Sequence, residues 1–183
     1  MILVPKKFPN ILYTIYFILL LVSFVFYLHS YYVKFPWDSE RWFHAGWQGA
    51  IQAVKENQAN FDKVIISTAD EPPWIFFAAW SEFDPNIWHA GYPMKKTFLE
   101  NVGEVSYIDK YYFGTVAGKS GKSGLYDWGA LLSEDLLYLA SAKEVNVNLI
   151  MEPQRLPADL SLIKAITFPS GEPAFYLFTR SGK

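Results

Sequence analysis

Cysteine is absent from the 183 residues, which excludes disulfide frameworks, thiolate metal sites and cysteine nucleophiles but carries no information about compartment. Histidine is scarce, three residues in all. Neither His44 nor His89 has a second histidine or a carboxylate three or four positions further on, the spacing that sets two ligands on one helical face. No metal site and no cofactor is therefore expected; His44 should pack on its helix and His89 should fill a loop. A basic stripe is also missing: from Phe35 onward 13 Lys and Arg face all 18 Asp and Glu, a formal charge of −5, while the first 34 residues carry +3. Such a chain has little with which to hold a phosphate backbone, so nucleic acid is not an expected partner. With 51 % hydrophobic and 19 % aromatic residues, it is too apolar to stay disordered.

Charge is missing altogether from the 26 residues Phe8 to Val33. As a helix this stretch would cover about 39 Å, more than the roughly 30 Å hydrocarbon core of a bilayer, so a tilted transmembrane helix fits. Between Ile11 and Leu28 there are thirteen Leu, Ile, Val or Phe. At about −0.3 to −0.6 kcal/mol each they favour insertion by roughly 4 to 8 kcal/mol. A cleaved signal peptide fits less well, because the apolar stretch is too long and bulky Tyr and Lys stand where a cleavage site needs small residues. Lys6 and Lys7 precede the span and only Lys34 follows it closely, so the positive-inside bias puts the N-terminus in the cytoplasm and the remainder outside. Tyr27, Tyr31, Tyr32 and Trp37 cluster where amphipathic rings favour a membrane interface, and His29 reads as an interfacial polar residue. The expected organisation is a membrane anchor over 1–34 and an extracytoplasmic domain over 35–183.

The second part is long enough to bury its own core. Asp38 or Ser39 can cap a helix running to about Gln58, with Gly46 and Gly49 permitting close packing on a neighbour. Lys63 to Thr68 reads as a buried strand, and Trp74 to Trp80 as a helix with prolines in its first turn, ended by Asp84-Pro85-Asn86. Val105–Ile108, Tyr111–Phe113 and Leu136–Ala140 read as strands. Leu162–Phe168 and Ala174–Thr179 flank the turn-forming Pro169 to Pro173, a terminal hairpin pattern. The expected fold class is α/β, a layered domain with a mixed sheet closed by a C-terminal β-hairpin.

Two Gly-Lys-Ser triplets, at Gly118 and Gly121, resemble a phosphate loop, but the required glycine five positions earlier is replaced by Phe113 and Val116. Leu125 to Asp127 is also a poor helix start, so Gly118 to Gly124 reads as a mobile surface loop. Asp70-Glu71 is more informative, because ligands of open α/β sheets gather beyond strand carboxyl ends. Asp84, Trp74, Trp80, Trp88 and Tyr92 follow closely, and carboxylates beside aromatic rings suit sugar hydroxyls and apolar sugar faces. These seven residues are the candidate carbohydrate contacts. The opposing explanation is structural: Trp74, Phe77 and Trp80 form one helical stripe of the kind that fills cores, Asp70 caps and Asp84 starts a turn. No catalytic residue can be assigned, since neither a carboxylate pair nor a Ser-His-Asp set is defined by sequence order.

Tyr31-Tyr32, Phe35-Pro36 and the run Trp42-Phe43-His44-Ala45-Gly46-Trp47-Gln48-Gly49-Ala50-Ile51 follow a hydrophobic helix and lead into Val64-Ile65-Ile66. Together with Phe83-Asp84-Pro85 and Gly171-Glu172-Pro173-Ala174-Phe175-Tyr176-Leu177, this order resembles the C-terminal end of membrane glycosyltransferases of the GT-C superfamily, in particular relatives of dolichyl-phosphate-mannose protein mannosyltransferases. The resemblance implies a last transmembrane helix followed by an extracytoplasmic α/β domain. Such enzymes place their catalytic acids in an early loop of a many-helix bundle that holds a polyprenyl-phosphate sugar. A chain with one such helix has no positions onto which those acids carry over. The expectation is an accessory domain that positions acceptor or glycan without catalysing transfer alone. Its partners would be the lipid bilayer and a polyprenyl-phosphate sugar or glycan acceptor reached through a multi-spanning subunit. The alternative is a stand-alone anchored module that binds protein or a cell-envelope polymer; a small hydrolase using Asp70, Glu71 or Asp84 is a weaker third.

Overall fold

A computed structural model describes residues 8–90, 93–117 and 124–182. The chain divides into two compact units, Met1–Phe43 and His44–Lys183.

The first unit is helical from Phe8 to Ser39: α1 (Phe8–His29), a π-helical turn (Ser30–Lys34) and α2 (Phe35–Ser39). Pro36 has no N–H to donate and its ring crowds the carbonyl one turn back. The wider turn directly before α2 is where the helix accommodates it. This is the one helix among the described residues that is long and apolar enough to cross a membrane, and its Leu, Ile, Phe and Tyr side chains from Ile11 to Tyr27 are exposed. It runs to Ser39, past the expected anchor end at Lys34.

The second unit is an α/β domain built on a seven-stranded mixed sheet, in the order β2-β3-β4-β1-β5-β7-β6. The strands are β1 (Lys63–Ile66), β2 (Lys95–Leu99), β3 (Gly103–Ile108), β4 (Tyr111–Phe113), β5 (Leu136–Ser141), β6 (Leu160–Thr167) and β7 (Pro173–Arg180). Central β1 runs parallel to both β4 and β5, and every other pairing is antiparallel. Strand β1 is buried on both sides, as a parallel strand must be. Val64 and Ile66 face one hydrophobic cluster, with Trp47, Ala50, Ile51 and Val54 of α3 (Gly46–Asn57) and Phe77 of α4 (Trp74–Trp80). Ile65 faces a second cluster, with Leu125 and Trp128 of α6 (Leu125–Leu131) and Tyr138 of β5.

The order of α3 differs from the sequence expectation. Asp38 and Ser39 end α2, and α3 starts at Gly46 after a turn in which His44 takes a left-handed backbone, φ 55°. Gly46 is where the helix lies against β7: a Cβ there would stand 2.7 Å from the Ala174 Cβ and 3.2 Å from the Phe175 ring. The expected use of this glycine for close packing is thus realised. His89, expected in a loop, lies in the last turn of α5 (Pro85–Ala90). Helix α6 does start at Leu125, with Gly124 as its cap and no side-chain bond to its first turn. Of the expected surface loop Gly118 to Gly124, all but Gly124 falls outside the described residues.

Candidate binding site at the strand carboxyl ends

Neighbouring strands β1 and β4 send the chain to opposite faces of the sheet, β1 into α4 and β4 towards α6. That divergence opens a crevice at their carboxyl ends, the position where α/β sheets hold ligands. Thr68 and Thr115 meet across it, hydroxyl to hydroxyl at 3.1 Å. Next to them a cavity of about 280 Å³ is lined by Thr68, Glu71, Pro72, Trp74, Ser106 and Phe113, among others. Trp74 and Phe113 are its aromatic lining residues, and Thr68, Ser106 and Glu71 its polar ones.

Asp70 and Glu71, adjacent in the chain, are committed to different partners. Glu71 Oε1 accepts from Trp47 Nε1 at 3.2 Å and pairs with His44 Nδ1 at 2.5 Å. Trp47 is itself fixed, buried and stacked on Phe76 at 5.0 Å with an interplanar angle of 6°. His44 therefore precedes its helix and holds a carboxylate, where the sequence suggested simple packing. Asp70 accepts from the hydroxyl of Ser141, the last residue of β5, and pairs with Lys143 just beyond it. It does not cap α4, whose N-cap is Pro73 with no side-chain bond.

Beneath this surface lies a polar network for which the sequence reading made no provision. Ser141 caps the short helix α7 (Ala142–Val145), and Glu144 closes a capping box by accepting from the Ser141 N–H at 2.8 Å. Glu144 also accepts from the Tyr138 hydroxyl at 2.5 Å and from the Ser67 side chain. Tyr138, Ser67 and Ser141 are all buried. Burial raises the Glu144 carboxyl from its ordinary value, against the hydrogen bonds that favour its ionised form. Burial, and then the Glu144 charge, hold the Tyr138 hydroxyl well above the usual phenol range, so it remains a donor. The signal was present in sequence as Ser141-x-x-Glu144, a capping-box pattern directly after an apolar strand.

Of the seven candidate contacts, the strand ends bring together Asp70, Glu71 and Trp74. Trp80 lies at the far end of α4 and lines a different groove. Asp84 caps α5, its Oδ1 accepting from the Asn86 N–H and from Asn86 Nδ2, each at 2.9 Å. Tyr92 and the side chain of Trp88 fall outside the described residues. No group of three or more His, Asp or Glu among the described residues is arranged to hold a metal ion. Chemically, the crevice can receive hydroxyl or amine donors on Glu71, Thr68 and Ser106 and an apolar face against Trp74. Comparison with protein families, with curated proteins and with solved structures gives no match to this chain.

Proposed function

We propose that this chain is a membrane-tethered accessory domain that holds a glycan or an acceptor on the extracytoplasmic side of a bilayer, for sugar transfer carried out by a multi-spanning partner. The observation that carries the reading is the crevice at the β1 and β4 ends: Glu71, Thr68 and Ser106 offer hydroxyl-binding atoms beside the Trp74 ring. The Glu71 carboxylate beside it is held in place by His44 Nδ1 and Trp47 Nε1. The exposed apolar helix supports tethering, and the excess of lysine before it supports the orientation.

Reconstitution tests this directly. The full chain in liposomes with a polyprenyl-phosphate-mannose donor and an acceptor peptide should transfer no sugar alone, and should bind acceptor or glycan in a manner weakened by Trp74→Ala. Transfer by the purified chain would overturn the reading. A stand-alone protein-binding module is favoured by one feature, edge strand β2 with Phe98 74 % exposed. Affinity for a protein partner that is lost in Phe98→Lys, with no glycan binding, would establish that alternative.

A further inference from the structure

Helix α3 and the end of α4 border a groove of about 540 Å³, separate in its lining from the strand-end crevice and walled by Gln48, Gly49, Gln52, Lys55, Trp80 and Glu82. Trp80 belongs to the stripe Trp74-Phe77-Trp80, whose central member is buried at 4 % exposure, yet its own side chain is 43 % exposed. The indole is therefore available as a flat apolar platform. Opposite it, Gln48 and Gln52 sit one helical turn apart on the same face of α3. Each carboxamide both donates and accepts. Gln52 is aimed by a chain of contacts: its Nε2 donates to Glu56 at 3.1 Å, and Glu56 is paired with Lys164 at 3.0 Å. Glu82, in a left-handed backbone of φ 58°, turns the chain at the groove after α4.

The charges decide what fits. Lys55 and Glu82 line the groove without forming an ion pair with any described residue, and together they sum to zero. An anion would meet Glu82 and a cation would meet Lys55, so neither is favoured over a neutral ligand. A neutral ligand with many hydroxyls and one apolar face matches a ring platform bordered by two amides, one cation and one anion. The volume lies within the range of small-molecule sites. We infer that this groove is a saccharide-binding site in which a pyranose stacks on Trp80 while Gln48, Gln52, Lys55 and Glu82 bind its hydroxyls. The site is distinct from the crevice and does not depend on any link to sugar transfer.

The test is titration of the full chain in nanodiscs with mannose, glucose, N-acetylglucosamine and mannobiose, read by saturation-transfer NMR and by 19F NMR of 5-fluorotryptophan-labelled protein. At least one sugar should bind and shift the Trp80 resonance, assigned by its loss in Trp80→Phe. Trp80→Ala should weaken binding about tenfold or more, and Gln52→Leu should weaken it with circular dichroism unchanged. Trp74→Ala alters the crevice, so any sugar held there would be lost, but the sugar-induced shift of the Trp80 resonance should persist. Binding lost in Trp74→Ala but kept in Trp80→Ala and Gln52→Leu would overturn the groove assignment while leaving the crevice reading standing. No binding by any of the four sugars, with the variants and the parent equally folded, would overturn it as well.

Discussion

Removing the Glu144 carboxylate is the sharpest perturbation of the polar network beneath the strand ends. Glu144→Ala removes the acceptor of three donors at once, the Tyr138 hydroxyl, the Ser67 hydroxyl and the Ser141 N–H, and leaves the Ser67 hydroxyl only Tyr138 to donate to. Tyr138 has no exposed surface, and Ser67 and Ser141 are 3 % and 2 % exposed, so water reaches them poorly. Each unsatisfied buried donor costs about 1–3 kcal/mol, and neighbours in one network do not add fully. A loss of about 3 kcal/mol is expected, which for a domain of this size lowers Tm by roughly 6–12 °C. Glu144→Gln keeps one acceptor oxygen and should lose less, but it also removes a titration. Because burial raises the Glu144 carboxyl in the folded state, the native protein keeps this proton to a higher pH than the unfolded chain does. The associated stability is fully present below the ordinary carboxyl range and is lost as pH rises through the raised folded value. The exposed carboxylates Glu56 and Asp135 are shifted downward and act in the opposite sense. The difference between parent and Glu144→Gln therefore isolates Glu144. Thermal unfolding of the full chain in detergent micelles, followed by near-ultraviolet circular dichroism from pH 4 to pH 8, measures both effects. A loss below about 1 kcal/mol in Glu144→Ala, or a parent-minus-Gln difference flat across pH, would refute the network as described.

Two further substitutions have expected outcomes of opposite size. Gly46→Ala forces a Cβ to within 2.7 Å of the Ala174 Cβ, where both partners are held by backbone, so it should destabilise by about 1–3 kcal/mol in the same melt. Lys143→Ala removes the cation paired with Asp70, but the lysine side chain is 69 % exposed. It should change stability by less than about 1 kcal/mol, and by less still in high salt.

Strands β1 and β5 were legible because Val64-Ile65-Ile66 and Leu136 to Ala140 are apolar runs of strand length, which the central parallel strands of a sheet require. Strand β2 was not: Lys95-Lys96-Thr97-Phe98-Leu99 is an edge strand exposing Lys95, Lys96 and Phe98, and its conformation is set by pairing with β3. The start of α3 was misplaced because Asp38 and Ser39 are good cap residues by type, yet they lie in the last turn of α2. The interruption at His44 depends on partners distant in sequence, Glu71 on its ring and Ala174 and Phe175 against Gly46. At the candidate site, the position of Asp70-Glu71 after a buried strand was readable from pattern alone. That the two would part, one to Ser141 and Lys143 and the other to His44 and Trp47, was not, because those partners arrive from β5, α7, α3 and the turn before α3. The stripe Trp74-Phe77-Trp80 divides between both readings: Phe77 is core, while Trp80 is exposed.

The absence of cysteine permits a direct measurement of where the domain lies. Glu134→Cys places a single thiol on an exposed turn before β5, in a chain with no other. In intact cells carrying the membrane-bound protein, this thiol should react with a membrane-impermeant maleimide without permeabilisation. Labelling only after the membrane is opened, or recovery of the intact chain in the soluble fraction after alkaline carbonate washing, would contradict an anchored domain facing the outside.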